Sequence, residues 1–166
     1  ADAGFELVLG DLAFALGVPV ALHSLAAINR VGTLLLPVMR HLPMNLLYPT
    51  GEREDANTPR YGRWFAWATV IAGDCNYISR FMPADMRGKV VLTNTTTLRN
   101  VEQFRERGVR YLLTSTPRLG ERSFGTNLME AALVALSGKG RVLDAREMAE
   151  MVEAVGWRPN LEVLNP

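Results

Sequence analysis

Small and polar residues follow four apolar runs of this sequence, at the points where each run stops. The four continuations are Gly10-Asp11, Gly73-Asp74, Asn94-Thr95-Thr96-Thr97 and Ser115-Thr116-Pro117. In open parallel sheets ligands bind beyond the carboxyl ends of the strands, because loops and helix N-termini converge there. These continuations therefore predict a crevice for a polar ligand. The same residue types are common in turns and at helix N-caps, so a purely structural role stays open as the alternative.

Asp11 is the sharpest single candidate in this crevice. An acidic residue that ends the second strand of a dinucleotide-binding unit hydrogen-bonds the adenosine ribose and disfavours a phosphate there, which favours NAD over NADP. The glycine-rich turn G-x-G-x-x-G is absent from the sequence. The candidate cofactor-binding residues are Gly10, Asp11, Gly73, Asp74, Asn94, Thr95 and Thr96.

A second set of residues is suited to an anionic or substrate group. Amides at the start of the predicted helix Thr126 to Ser137 carry partial positive charge, and two arginines lie nearby in the sequence. A plain cap of that helix is the alternative. The candidates of this set are Arg118, Arg122, Ser123, Thr126 and Asn127.

Other reactive residue types carry weaker signals. Cys75 has no histidine near it in the sequence, which favours a buried, inert thiol. His23 and His41 belong to no metal-ligand pattern, so we expect no metal site. The aromatic residues within 64–67 are expected to pack the interior, with a wall for a cofactor ring as the alternative. No catalytic residue can be assigned.

The helices and strands that position these residues are predicted from the spacing of apolar residues and from the glycine and capping residues at the ends of each segment. Apolar runs alternate with helical segments, which indicates an α/β fold with a mostly parallel sheet whose strands are covered on both faces. Segment 47–59 is typical of a lid or binding loop. The predicted strands are Phe5 to Leu9, Thr69 to Ala72, Lys89 to Thr93 and Arg110 to Thr114, with a late edge strand at Leu161 to Leu164. The predicted helices are Ser24 to His41, Arg60 to Ala68, Leu98 to Arg107, Thr126 to Ser137 and Asp144 to Ala154.

Composition limits the class of protein. The 166 residues, 48% hydrophobic and 21% charged, suit one globular domain over residues 1–166. The 18 basic and 17 acidic residues nearly cancel, so we expect neither nucleic acid nor a membrane as partner. A single cysteine makes a reducing, cytoplasmic compartment the default. The expected partner is a small-molecule substrate or metabolite.

The start of the sequence resembles the end of a helix that runs into a strand, over Ala1 to Gly4 and Phe5 to Leu9. We therefore expect the chain to be the C-terminal portion of a longer protein, without the first strand and helix of its sheet. A missing strand would leave an open edge, which favours a homodimer.

Five runs of the sequence resemble the C-terminal half of a bacterial family labelled quinate 5-dehydrogenase. The resemblance covers nearly the whole chain and implies a Rossmann-like, three-layer αβα domain with a nicotinamide cofactor. It also implies an oxidoreductase acting on a cyclic polyhydroxy acid such as quinate or shikimate. Asn94-Thr95-Thr96 is similar to the Asn-x-Thr turn that lies near the nicotinamide in shikimate dehydrogenases. The five runs are Gly10 to Gly17, Leu47 to Gly51, Ile71 to Asp74, Thr93 to Thr97 and Ser123 to Ala131.

The sequence departs from shikimate dehydrogenases in one respect that bears on catalysis. Their Lys and Asp pair at the substrate hydroxyl has no equivalent, since the only lysines, Lys89 and Lys139, fall at a predicted strand start and helix end. The resemblance implies that the acid/base residue and phosphate loop lie upstream, so that this chain alone cannot catalyse. A second hypothesis therefore stays open: a non-catalytic, Rossmann-like ligand-sensing or regulatory module that binds a metabolite in the same crevice.

Overall fold

The structure, a computed structural model, describes residues 4–41 and 57–166. Its main feature is a four-stranded, mostly parallel β-sheet. The first three strands of the sheet run parallel, and the last pairs antiparallel with its neighbour. The described part of the chain is therefore mixed α/β, as the sequence predicts. In the order β1-β2-β3-β6 the strands are β1 (Val70–Ala72), β2 (Val90–Thr93), β3 (Tyr111–Thr114) and β6 (Asn160–Val163), and a separate two-stranded ribbon contains β4 (Arg118–Leu119) and β5 (Arg122–Ser123).

Helices connect the strands, and their ends follow capping rules. Thr97 and Asp144 begin two of them through capping boxes, and Gly138 ends another in the left-handed conformation. All five predicted helices are confirmed to within two residues, and the described residues contain two short helices that were not predicted. None of the described helices is long and apolar enough to cross a membrane. The helices are α1 (Asp11–Leu16), α2 (Leu25–Met39), α3 (Gly62–Trp67), α4 (Cys75–Phe81), α5 (Leu98–Glu106), α6 (Thr126–Ser137) and α7 (Ala145–Ala154).

The main core lies against one face of the sheet. Val91 and Leu112 are neighbours in the ladder between β2 and β3, and both are fully buried. From α5, Val101 and Phe104 join the same cluster, as the amphipathic pattern of that helix predicts. Burial of each such side chain contributes about 1.5–3 kcal/mol, so this face holds the sheet to its helices.

The opposite face of the sheet is covered less completely. Val90 and Leu113 are only half-buried, while Val70 is 47% exposed and Val163 60% exposed. The prediction that both faces are covered is therefore confirmed for one face only. A continuously apolar strand can be buried on both faces. Its sequence does not determine whether a helix packs on each face.

The predicted first strand, Phe5 to Leu9, is not part of the sheet. Leu9 forms one isolated antiparallel bridge with Leu22, through backbone hydrogen bonds of 2.7 and 3.2 Å. Phe5 is 70% exposed. The prediction of a sheet strand here was wrong because an apolar run becomes one only where a neighbouring strand satisfies its backbone groups.

Most of the predicted polar loop, residues 47–56, lies outside the described residues, as do Ala1 to Ala3. The described end of the loop is anchored to α4. The Asn57 amide donates to the Ser79 carbonyl at 2.8 Å and to the Met82 carbonyl at 3.1 Å. These bonds satisfy carbonyls that a helix end leaves without intrahelical partners. The late edge strand is confirmed one residue earlier, as β6.

Candidate functional site

A cleft of about 400 Å³ lies between the segment that leads into α1 and the open edge of β1. Gly10 and Asp11 line one side of this cleft, and Gly73 and Asp74 line the other. The two pairs are far apart in the sequence, and each was predicted from the end of an apolar run. The structure brings these four candidate residues together.

Each of the four has a local reason for its position. Gly73 continues β1, since its N–H donates to the Leu92 carbonyl at 3.1 Å. Asp74 caps α4 by accepting the Asn76 N–H at 2.9 Å, so it has the structural role that was held open as well as a place in the cleft wall. Asp11 is exposed in the first turn of α1. A Cβ at Gly10 would lie 2.6 Å from the Phe14 ring.

Aromatic side chains form another part of the cleft wall. Trp64 stacks on Tyr61 with ring centroids 4.9 Å apart, and the edge of Phe14 meets it at 6.0 Å. These contacts give Trp64 a packing role. Trp67 also lines the cleft but is 46% exposed, so its ring is accessible to a ligand. The sequence left two alternatives for the aromatic residues within 64–67, packing of the interior or a wall of the site. Trp64 packs against its neighbours and Trp67 forms part of the cleft wall.

Two titratable residues of α4 lie at or behind this wall. Burial raises the pKa of the Cys75 thiol to about 12, against a hydrogen bond with Ser79 that lowers it. The thiol is therefore protonated at neutral pH and inert, as predicted. Tyr77 lines the cleft, and burial together with the charge of Asp74 raises the pKa of its phenol, which stays a hydrogen-bond donor. Sequence reasoning missed Tyr77, although its spacing from Asp74 places both near the start of α4.

The loops after β2 and β3 meet in a cluster of buried hydroxyl groups. The Ser123 hydroxyl accepts the Thr96 N–H at 2.8 Å and lies 2.8 Å from the Thr96 hydroxyl. The Ser123 N–H returns a bond to the Thr96 carbonyl at 3.0 Å. Nearby, the Thr116 hydroxyl donates to the Phe124 carbonyl at 2.7 Å. Thr96 and Ser123 thus satisfy one another and tie the loop to the ribbon.

Asn94 and Thr95 lie beside the cleft residues rather than among them. Thr95 is exposed, has a left-handed backbone with φ of 53°, and donates from its hydroxyl to the Asn94 side-chain oxygen at 3.2 Å. The Thr93 hydroxyl, which sequence reasoning missed, donates to the Gly73 carbonyl at 2.8 Å. This bond connects the ends of β1 and β2 directly, and the same hydroxyl lies 3.3 Å from the Asn94 carbonyl.

The residues predicted to bind an anionic group make different contacts and do not form one site. Arg118 donates to the Glu162 carboxylate at 2.8 Å, and this ion pair joins the ribbon to β6. Arg122 is exposed in β5. Thr126 and Asn127 are exposed in the first turn of α6, a helix whose N-terminus has no side-chain cap. The start of α6 is therefore exposed and stays suited to an anion, and with Gly125 as its N-cap the alternative of a plain helix cap stays open as well.

Both lysines and one histidine make structural contacts. The Lys89 ammonium donates to the Ala68 carbonyl at 2.7 Å, and Lys139 pairs with Glu147 at 2.6 Å. His23 Nδ1 lies 2.9 Å from the Leu7 carbonyl. In the two described ranges, no group of three or more His, Cys, Asp or Glu residues is placed to hold a metal ion.

Comparison with known proteins places the chain in a family without assigning it an activity. No curated protein and no solved structure matches the sequence. The model of the family described as "Domain of unknown function (DUF8754)" matches residues 1–164, so the chain belongs to that family.

Proposed function

We propose that this chain is the NAD(P)-binding part of a Rossmann-like oxidoreductase, with NAD preferred over NADP. The observation that supports the proposal is that Gly10 and Asp11 line the same cleft as Gly73 and Asp74, beyond the carboxyl end of β1. Ligands of open parallel sheets bind in this position.

The cleft suits the adenosine half of a dinucleotide. Its volume of about 400 Å³ falls in the range of small-molecule sites, roughly 300–1,000 Å³. The exposed carboxylate of Asp11 has the chemistry to accept hydrogen bonds from both ribose hydroxyls and to repel a ribose phosphate. Trp67 offers an accessible ring for stacking with the base. Gly73 has no side chain to block the approach of the ligand.

The nicotinamide half would extend over Gly73 toward the end of β2. The Thr93 hydroxyl bonds the carbonyls of Gly73 and Asn94, so the two loops form one continuous rim. In this arrangement Asp74, Asn94 and Thr95 line the nicotinamide end. Thr96, whose hydroxyl is paired with Ser123, positions the loop without touching the ligand.

A bound nicotinamide would supply the hydride acceptor, and the protein would bind it, orient it and exclude water. The resemblance to quinate and shikimate dehydrogenases suggests a cyclic polyhydroxy acid as substrate. Arg122, Thr126 and Asn127 are the exposed polar groups available for its carboxylate at the start of α6. The ion pair with Glu162 removes Arg118 from that role.

A non-catalytic ligand-sensing or regulatory module is the second candidate function, and the state of the basic residues favours it. Proton abstraction from an alcohol by a lysine or histidine needs that side chain within hydrogen-bond reach of the hydroxyl. Lys89, Lys139 and His23 are held in structural contacts, and none of the three lines the cleft. Such a module would bind the same ligand without turning it over.

Titration calorimetry of the full gene product that contains this chain, with NAD and NADP separately, tests the first proposal. Binding of NAD followed by a screen for oxidation of quinate and shikimate distinguishes an enzyme from a sensor. Binding without turnover supports the sensor, and binding of neither nucleotide contradicts a nucleotide site. Turnover of quinate by the 166-residue chain itself would show that these residues include the acid/base group, which contradicts the sensor.

A further inference from the structure

We propose that residues 10–21, which include α1, form a lid that opens independently of the main core and admits ligands to the cleft. This segment is called the α1 lid below. It forms one side of the cleft through Gly10, Asp11, Phe14 and Ala15. The opening does not depend on which ligand the cleft binds, and only the response of the lid to NAD rests on the proposed function.

The two ends of the α1 lid lie next to each other. Leu9 and Leu22 flank the segment and form an antiparallel bridge with backbone hydrogen bonds of 2.7 and 3.2 Å. Between them the chain forms α1, turns at Gly17, which has a left-handed backbone with φ of 72°, and returns to the bridge. Compact surface loops with adjoining ends are frequently functional. The bridge is therefore a narrow hinge on which the segment can move as one unit.

The attachment of the α1 lid to the main core depends on one aromatic ring. Ala13 is the one fully buried residue of the segment, and the others are half-buried or exposed. Phe14 is the residue of the segment that packs against the main core cluster. Its ring meets Tyr61, Phe65 and Phe81 at centroid distances of 5.1, 5.8 and 5.3 Å. The Tyr61 hydroxyl adds a hydrogen bond to the Ala13 carbonyl at 3.2 Å.

These contacts stabilise the closed lid much less than the whole fold is stabilised. Burial of one aromatic side chain together with one hydrogen bond favours the closed form roughly a hundred- to a thousandfold. Folding of a typical domain is favoured by about 10⁴-fold or more. A six-residue helix is too short to persist without packing, so α1 loses its internal hydrogen bonds when Phe14 leaves the aromatic cluster. The backbone amides of α1 should therefore report each opening of the lid.

The position of Asp11 links the lid to ligand binding. Asp11 belongs to the α1 lid, whereas Gly73 and Asp74 on the other side of the cleft follow β1. A ligand that contacts both sides binds the closed form better than the open form, and it shifts the lid toward closure by that difference in affinity. Under the proposed function, NAD held by Asp11 should therefore slow the opening of the lid.

Hydrogen exchange of the full gene product, measured by mass spectrometry on fragments that contain residues 10–18 and 98–106, tests the lid. We expect the amides of α1 to exchange at least about tenfold faster than those of α5. Their exchange should also depend less on urea, because opening of the lid exposes little surface. Equal rates and equal urea dependence in the two helices would overturn the inference, since α1 would then open only when the whole domain unfolds.

A matched pair of truncations separates opening of the lid from global unfolding. Phe14→Ala removes the ring that holds the lid and should speed exchange in α1 at least about tenfold. Val101→Ala truncates a side chain of α5 in the main core cluster and should speed exchange in α5 roughly tenfold. Exchange in α1 should stay within about twofold in Val101→Ala, because Val101 remains packed while the lid is open. Equal acceleration of both helices by Val101→Ala, or no effect of Phe14→Ala on α1, would overturn the inference.

Tyr61→Phe decides the matter if Phe14→Ala does not fold. This substitution keeps the aromatic cluster and removes only the hydroxyl that bonds the Ala13 carbonyl. We expect exchange in α1 to become roughly two- to tenfold faster, with exchange in α5 still at least about tenfold slower than in α1. Unchanged exchange in α1 would contradict the attachment described here.

Addition of saturating NAD tests the coupling of the lid to the ligand. We expect exchange of residues 10–18 to slow and that of residues 98–106 to slow no more than residues 10–18. If NAD binds in calorimetry and leaves the exchange of residues 10–18 unchanged, the lid does not close over the nucleotide and the coupling is overturned. If NAD does not bind, the proposed function fails, whereas exchange of the free protein still decides whether the lid opens. The two proposals therefore fail separately.

Discussion

The Ser123 hydroxyl lies 2.8 Å from the Thr96 hydroxyl and accepts the Thr96 backbone N–H at the same distance, with both residues almost fully buried. This contact joins the β4–β5 ribbon to the loop after β2. It therefore fixes the rim of the sheet along which the candidate ligand residues lie.

Replacement of Ser123 tests this positioning role. In Ser123→Ala the buried Thr96 N–H loses its acceptor, and an unsatisfied buried donor costs about 1–3 kcal/mol. We expect a loss of that size in the free energy of unfolding measured in urea. Ser115→Ala is the matched control, because Ser115 is exposed at the end of β3 and should change stability by less than about 0.5 kcal/mol. Equal effects of the two substitutions would contradict the account.

Two glycines with left-handed backbones should respond differently to alanine. At Gly108, with φ of +82°, a Cβ would lie 2.5 Å from the Arg87 Cγ and 3.2 Å from the Arg87 Cα. At Gly138, with φ of +66°, a Cβ meets nothing within 4 Å. Gly138→Ala should therefore cost about 1 kcal/mol from backbone strain alone. Gly108→Ala should cost clearly more in the same urea titration, and the reverse order would refute the packing described at Arg87.

The ion pairs of Glu147 predict a loss of stability in acid. A hydrogen bond from Arg141 and another from Lys139 hold the pKa of Glu147 well below its ordinary value of 4.5. Because the pKa is depressed in the folded state, the stabilisation is complete above 4.5 and is lost as the pH falls. We expect the melting temperature to drop from about pH 5 to about pH 3. Glu147→Gln should weaken this dependence, whereas the exposed Glu121→Gln should not. Identical pH profiles for the wild type and Glu147→Gln would contradict the assignment.

The buried thiol of Cys75 predicts slow chemical labelling. With its pKa raised to about 12 by burial, the thiol is neutral at pH 8 and closed to solvent. We expect a disulfide reagent to react slowly with the folded chain and rapidly in denaturing urea. Fast labelling of the folded chain would show that Cys75 is accessible and that the packing of α4 is described incorrectly.

Long elements with clear caps were predictable from the sequence. Thr97 precedes an amphipathic segment, Asp144 precedes another, and both become the N-caps of helices close to the predicted ranges. Helices α1 and α4, with six and seven residues, were missed because the residues at their starts were interpreted as ligand contacts. The capping signal at Asp74 was interpreted as a ligand contact, and in the structure Asp74 both caps α4 and lines the cleft.

Long-range contacts account for what the sequence could not reveal. The pairing of Arg118 with Glu162 depends on the return of β6 beside β3, which no local pattern indicates. The failure of Phe5 to Leu9 to join the sheet has the same origin, since a strand needs a neighbour that local hydrophobicity does not identify. Asp11 and Asp74 line one cleft, as the prediction from strand ends expected, although residues 5–9 before Asp11 form no strand of the sheet.

The most direct test of the proposed function is calorimetric titration of the full gene product with NAD and NADP, repeated with Asp11→Ala and with Glu121→Ala as a matched acidic control. Asp11→Ala removes the carboxylate proposed to bind the ribose. A hydrogen bond to a charged group contributes about 1.5–3 kcal/mol and each tenfold change in affinity is about 1.4 kcal/mol, so NAD binding should weaken at least about tenfold. Glu121→Ala should bind NAD as the wild type does. If NAD and NADP both fail to bind, or if Asp11→Ala binds NAD with unchanged affinity, the cleft is not the nucleotide site that we propose.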